Sequence, residues 1–394
     1  MNVPPHRADQ EGFTEEQKSY LQGFWSGFEA RRLGQGLPTF AETLGIPGGR
    51  NGAARRGALP DDREAAPEGP EAIHFHAQNR FLAEGKKLSP EEEAKRQQNP
   101  LDLWDALKEH AGADRFPKGL DVFRFKFHGL FHVAPAQDAF MCRLRLPNGI
   151  LSAHQMRGIA AIAGTLGGGY ADVTTRANLQ IREIRAKDIL AVLTGLQELG
   201  IVTRGAGADN IRNITGTPTA GIDPRELIDT RPLAHELHHH ILNHRELYGL
   251  PRKFNIAFDG GGTISALEET NDIGFAAARV RADSRTGQGE SVPAGVHFRV
   301  LLGGITGHRD FGRDTGLFLE PRECVPVAAA MVRVFIENGD RTDRKKARLK
   351  YLLDRWGIEK FLEETQKHLA FALRRFPAEG CEPRGPVVKH GHVG

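Results

Sequence analysis

Between Asp121 and Leu199 the chain alternates strand-like and helix-like runs in the order β-β-α-β-β-α, and that order leaves few folds open. Val122 to His128 alternates Phe123, Phe125 and Phe127 with Arg124, Lys126 and His128. A period of two predicts a half-buried strand with one basic face. Phe140 to Leu146 reads as a second strand, stopped by Pro147-Asn148-Gly149. Ser152 caps a helix running to about Ala163. Two short strands, Ala171–Thr174 and Leu179–Ile184, precede a helix from Lys187 to Leu199. Short turns between adjacent strands predict antiparallel pairing, not a doubly wound parallel sheet.

The expected class is α+β. Residues 121–204 are read as a ferredoxin-like half-domain, and 205–376 as a second α+β domain. That second region carries a helix at Pro232–Arg245 and strands at Phe254–Phe258, Ile273–Val280 and Val296–Leu301. Helices are expected at Pro321–Glu337 and Gly357–Leu369. Residues 1–120 read as a helical N-terminal extension. Thr14-Glu15-Glu16-Gln17 opens one helix as a capping box, and Ser89-Pro90-Glu91-Glu92 opens another. A Gly-, Ala- and Pro-rich stretch at 34–70 reads as a flexible linker. Residues 377–394 form a loop-like tail.

Charge excludes several function classes. The 394 residues hold 53 basic and 50 acidic side chains, a net +3, too little for a nucleic-acid or membrane-surface protein. Basic character must therefore be local. No run approaches the length of a membrane-spanning helix, and the polar N-terminus holds no apolar signal core, so the expected location is cytoplasmic. The three cysteines, Cys142, Cys324 and Cys381, lie far apart. They make neither a disulfide framework nor a thiolate zinc site, and three thiolates cannot complete a four-cysteine iron–sulfur cluster.

Separated basic elements carry the functional signal. Arg143 and Arg145 flank Leu144, so on a strand they share one face. Arg176 lies in a turn between two strands, Arg212 follows a Gly-rich bend, and Arg252 and Lys253 follow Pro251. Such side chains could clamp carboxylates, Arg by bidentate pairing and Lys as a compact charge. They could equally be scattered surface charges. His235-Glu236-Leu237-His238-His239 matches the H-E-x-x-H zinc pattern, but Leu242 stands where the extended motif needs Gly, and a polar helix face is the simpler reading. The glycine clusters at 167–169 and 260–262 match no phosphate-binding loop. Gly339 to Lys350 is the densest basic run; its apolar neighbours imply that part of this charge faces inward.

The ordered set resembles siroheme-dependent nitrite and sulfite reductases, over a stretch from about Asn99 to the C-terminus. It comprises Phe-His-Gly at 127–129, Arg-Leu-Arg-Leu-Pro at 143–147, Thr-Arg-Ala-Asn-Leu-Gln at 175–180, Asp-Asn-Ile-Arg-Asn at 209–213, Leu-Pro-Arg-Lys-Phe-Asn at 250–255 and Gly-Asp-Arg-Thr-Asp-Arg-Lys-Lys at 339–346. The resemblance implies that Arg143, Arg212 and Lys253 line the distal face of siroheme. It implies that Asn255 takes the place of a sulfite reductase lysine, which favours nitrite over sulfite. Arg176, Gln180, Arg252 and Arg348 would contact the macrocycle carboxylates or its edge. The implied activity is six-electron reduction of nitrite to ammonia by a ferredoxin-type donor. Lys253 would be the direct proton donor, with Arg143 and Arg212 orienting substrate. The implied cofactors are siroheme and a [4Fe-4S] cluster.

One departure stands out. In the family the four cluster cysteines lie in a second half that repeats the first, and Cys142, Cys324 and Cys381 do not match them. The chain is therefore expected to be an N-terminal half, unable to reduce nitrite alone, and a second chain carrying the cluster is one expected partner. A sulfite reductase hemoprotein half and a non-catalytic siroheme-binding or assembly partner are the alternatives.

Overall fold

The computed structural model describes residues 68–132, 138–281, 284–285, 289, 291–308 and 310–386. The helix expected from Thr14, nearly all of the 34–70 linker and the end of the tail lie outside them. Every element below belongs to one unit, Pro60–Gly394.

Helices α1 (Ala72–Ala83), α2 (Pro90–Gln97) and α3 (Trp104–Gly112) come first. Pro at the first position and Ser89 Oγ accepting the Glu92 amide start α2 where the sequence places it. The strand expected at 122–128 is instead α4 (Asp121–Phe125), followed by a single 3₁₀ turn at Lys126–His128. Five residues are too few for periodicity to separate the two conformations. As a helix, α4 sets Phe123 against Phe127 at i, i+4, ring centroids 5.6 Å apart. Phe125 enters one hydrophobic core and Phe127 the other. Gly129 ends the turn at φ 80°. A side chain there would press on the Arg143 carbonyl and on Thr203.

The first sheet holds β1 (Leu130–Phe131), β2 (Phe140–Arg143), β3 (Ala171–Thr174) and β4 (Asn178–Ile184) in the order β1-β2-β4-β3, all antiparallel. Helices α5 (Ala153–Leu166) and α6 (Ile189–Glu198) complete the ferredoxin-like half-domain. Ser152 and Gln155 form the full capping box of α5. The expected β-β-α-β-β-α order stands, with its first strand moved to 130–131.

The second sheet orders β5 (Thr215–Gly216), β6 (Ile256–Asp259), β7 (Ile273–Val280), β8 (Gly295–Leu302) and β9 (Arg313–Leu319) consecutively. It is mixed: β5-β6-β7 pair in parallel, β7-β8-β9 antiparallel. Phe258, Phe275 and Phe298 are fully buried on it. Helix α7 (Arg231–Asn243), the largely buried α8 (Cys324–Asn338) and α9 (Leu349–Gln366) pack around this sheet. Strand β9 has no counterpart in the sequence reading. Helix α9 starts at Leu349, eight residues before the expected Gly357; Gly357 instead kinks it at φ 77°. No described helix is long and apolar enough to cross a membrane.

Candidate functional site

Hydrogen bonds from Asn213 and Arg176 close the seam between the two sheets. Asn213 Oδ1 accepts the Leu146 amide (2.8 Å), and its Nδ2 lies 2.7 to 3.1 Å from the carbonyls of Leu146, Arg176 and Ala177. The Pro147-Asn148-Gly149 turn docks beside it, the Asn148 amide donating to the Ile214 carbonyl at 2.9 Å. Arg176 donates to Asn271 Oδ1 and the Asn213 carbonyl, both at 2.9 Å, and to Ile256 at 3.3 Å. One amide side chain thus fixes the strand end after Arg143, the Arg176 turn and the segment bearing Arg212.

The candidate cations gather along this seam. Arg212 donates to the carbonyls of Ala206 (3.2 Å) and Ala208 (2.7 Å), while its Nε is buried without a partner. Burial lowers Arg212 to about 9; Arg143, Arg176 and Arg252 add to the effect and Asp209 opposes it. Arg143 is half-buried, with its guanidinium 4.4 Å from the Phe131 ring centroid. Burial, then Arg182, lowers it too, and no described carboxylate pairs with it. Arg176, brought to about 10 by burial, also keeps an unpartnered Nε. Lys253 is open to solvent. Partial burial, then Arg348, Arg212 and Arg252, draws its ammonium below the ordinary lysine range, with Asp272 opposing. Asn255, half-buried, anchors its backbone amide on Asp272 Oδ2 at 2.8 Å. Gln180 lies across the β2–β4 ladder from Arg143 and is buried.

Two of the sequence candidates are already engaged by carboxylates. Arg348 binds buried Asp272 through Nε (3.2 Å) and Nη2 (2.7 Å). Arg252 reaches buried Asp209 at 3.7 Å. Asp209 also receives both terminal nitrogens of Arg344 (2.7 and 2.9 Å) and Lys95 at 3.5 Å. Burial raises its carboxyl, but Lys95, Arg344 and Arg252 outweigh that and hold it below the usual range. Arg145, paired with Arg143 on one face by the sequence reading, points inward and is buried, donating to the carbonyls of Gly205 and Ile211.

Asp209, Asp272 and Asn213, which anchor the candidate cations or their loops, were not among the sequence candidates, nor was Lys126, a charged neighbour of Arg212. Asp209 and Asn213 bracket Arg212 within a recognised motif; Asp272 carries no local signal. Lys126 was placed on the basic face of a strand that does not form. The inward share of the 339–350 run is real: Arg341 is buried against Glu92 at 2.5 Å, whereas Lys345 and Lys346 are exposed.

His235 and His239 stack along α7 with ring centroids 6.3 Å apart. Among the described residues no group of three His, Cys, Asp or Glu side chains could hold a metal ion. Cys142 is buried in β2, its thiol pushed up to about 12 by burial. Cys324 opens α8, donating to the Glu320 carbonyl, and Cys381 bridges to Val280. A cavity of about 440 Å³ lies beside Ala276–Ala278, Arg299 and Arg384, and none of the candidate residues lines it.

Comparison with known proteins gives a consistent picture. The family model described as nitrite/sulfite reductase ferredoxin-like half domain matches residues 132–199. The one described as nitrite and sulphite reductase 4Fe-4S domain matches 207–373. A ferredoxin–nitrite reductase of Leptolyngbya laminosa is 36% identical over 280 residues, covering 69% of this chain and 52% of that protein. The chloroplastic ferredoxin–nitrite reductase of Oryza sativa subsp. japonica is 30% identical over 351 residues, covering 84% and 56%. The solved structure of Mycobacterium tuberculosis NirA protein matches with a TM-score of 0.67 at 27% identity, over 75% of this chain and 56% of that one. The chain spans about half the length of the curated relatives it matches.

Proposed function

The chain belongs to the nitrite and sulfite reductase family, and from that premise we propose that its seam holds siroheme and presents nitrite to it. The observation that carries this reading is the gathering of Arg143, Arg176 and Arg212, all partly buried, without a carboxylate partner for Arg143 or Arg212. Uncompensated buried charge is costly, and an anionic ligand would compensate it. The unpartnered Nε atoms of Arg176 and Arg212 fit a carboxylate-rich macrocycle. Arg176, with Gln180 beside it, would hold that macrocycle; Arg252 and Arg348 would back it, each already oriented by a buried aspartate.

When bound, siroheme would supply the iron that takes up the substrate and passes electrons to it. The chain's own part is electrostatic. Arg143 and Arg212 attract the anion and stabilise negative charge on its oxygens. Lys253 holds the transferable proton, since its ammonium already lies below its ordinary value. The guanidinium groups orient, because each presents several N–H donors in a fixed planar fork that matches an oxyanion. Asn255 offers an amide without charge, which favours nitrite over sulfite on the family pattern.

The cysteines do not fit the second cofactor. They are apart, and burial raises every thiol, which disfavours the thiolates that cluster binding needs. We propose that a cluster fed by a ferredoxin-type donor is held by cysteines other than these three. The test is visible absorption of the chain purified from a siroheme-making cell, followed by assay with nitrite and reduced viologen. The expected result is bound siroheme without turnover. A colourless protein would overturn the siroheme reading, and turnover by this chain alone would overturn the assignment of the cluster elsewhere.

A further inference from the structure

Gly207 is the point where the 205–212 segment packs against Lys126 and Phe131. A Cβ there would sit 2.5 Å from the Lys126 carbonyl oxygen and 2.5 Å from Phe131 Cζ. Only a residue without a side chain lets the 205–212 segment lie this close to both. The carbonyls on either side of Gly207, those of Ala206 and Ala208, hold the Arg212 guanidinium. Phe131 in turn carries two cations. Arg143 Cζ lies 4.4 Å from its ring centroid and Lys126 Nζ 5.9 Å. Both distances are within cation–π range. Lys126 and Arg143 therefore share the Phe131 ring, and Gly207 packs between that ring and the carbonyls that hold Arg212. Lys126 is half-buried and forms no ion pair among the described residues.

We propose that Lys126 is a fourth cation of the oxyanion pocket, a positioning residue that draws the small anion toward Arg143 and Arg212. This deepens the proposed function and rests on it. The choice of a small oxyanion over a macrocycle carboxylate follows from the neighbours. Lys126 shares its aromatic platform with Arg143, whereas Arg176 and Arg348 converge on the Asn271–Asp272 side of the seam. The charged groups facing Lys126 agree with a crowded cationic wall. Burial lowers its ammonium first, then Arg212 and Arg344, while Asp209 and Glu91 act the other way.

The test compares wild type with Lys126→Met and Lys126→Arg, each loaded with siroheme in the producing cell and titrated with nitrite by visible absorption. Removing one nearby charge from a partly solvated pocket should weaken nitrite binding about tenfold. Lys126→Arg should restore most of the affinity, and siroheme content should be equal in all three. Unchanged nitrite affinity in Lys126→Met would overturn the proposal. So would a loss of siroheme instead of nitrite affinity, which would move Lys126 to the macrocycle. A second measurement needs no cofactor. In the siroheme-free chain, ¹³C-labelled lysine resonances follow the Lys126 ammonium. Its titration should move upward in Arg212→Gln, and no movement would show that Lys126 does not share the pocket. If wild type takes up no siroheme the proposed function falls, and this second measurement alone decides on Lys126.

Discussion

Cations along the seam are held in two opposite ways. Arg344, Arg252 and Lys95 end on buried Asp209 and Arg348 on buried Asp272, whereas Arg212, on the same second-sheet side, ends on the carbonyls of Ala206 and Ala208. On the ferredoxin-like side, Arg143 and Lys126 rest on the Phe131 ring, and Arg176 ends on carbonyl and amide oxygens. A cation neutralised by a buried aspartate is part of the scaffold. A cation left on an aromatic face keeps its charge for something that arrives. Side-chain type does not distinguish the two; the buried partner does.

Removing an anchor should have the largest effect. Asp209→Ala leaves Lys95, Arg344 and Arg252 without their shared counter-charge and should cost about 3–5 kcal/mol in urea denaturation. A loss under 1 kcal/mol would break the comparison on its scaffold side. Acid probes the same network. His74 lies 3.2 Å from Arg341, and burial, then Arg341 and Lys95, lowers it from 6.5 to about 3. The folded protein therefore keeps His74 neutral while the unfolded chain protonates it below 6.5. Its contribution is complete above pH 6.5 and is lost as pH falls toward 3. Urea midpoints should drop from pH 7 to pH 4.5, and His74→Gln should flatten that drop. An unaltered slope would remove His74 from the account.

Gly207→Ala is the next test. Its Cβ must displace the Lys126 carbonyl or Phe131, so stability should fall by about 1–3 kcal/mol. Anion affinity should fall with it. Full stability with full affinity would mean that the segment does not lie against Phe131.

The sequence made the cations legible and left their partners hidden. Arg143, Arg212 and Lys253 sit in short motifs whose order is visible along the chain. Their sorting into anchored and free is not, because the anchors are distant: Arg344 and Asp209 are 135 residues apart, Arg348 and Asp272 76. The ferredoxin-like half was read well where local chemistry decides, as at the Ser152 capping box and the β3–β4 hairpin. It was misread at 122–128, where Phe123, Phe125 and Phe127 satisfy a strand period and a helical turn equally. That error put Lys126 on the basic face of a strand, whereas in the folded chain its ammonium lies 5.9 Å from the Phe131 ring centroid. Strand β9 was missed because Arg313-Asp314-Thr315-Gly316 opens it with polar residues, and its apolar end merges into the approach to α8.

The smallest effect on stability is expected at Arg143, and it bears most directly on the claim that unpaired cations serve a ligand. Scanning calorimetry of siroheme-free Arg143→Met beside siroheme-free wild type measures what this guanidinium does for the fold alone. With no carboxylate to lose, the variant should melt within about 1 kcal/mol of wild type or above it. A loss approaching that of Asp209→Ala would contradict the account, making Arg143 one more strut of the scaffold.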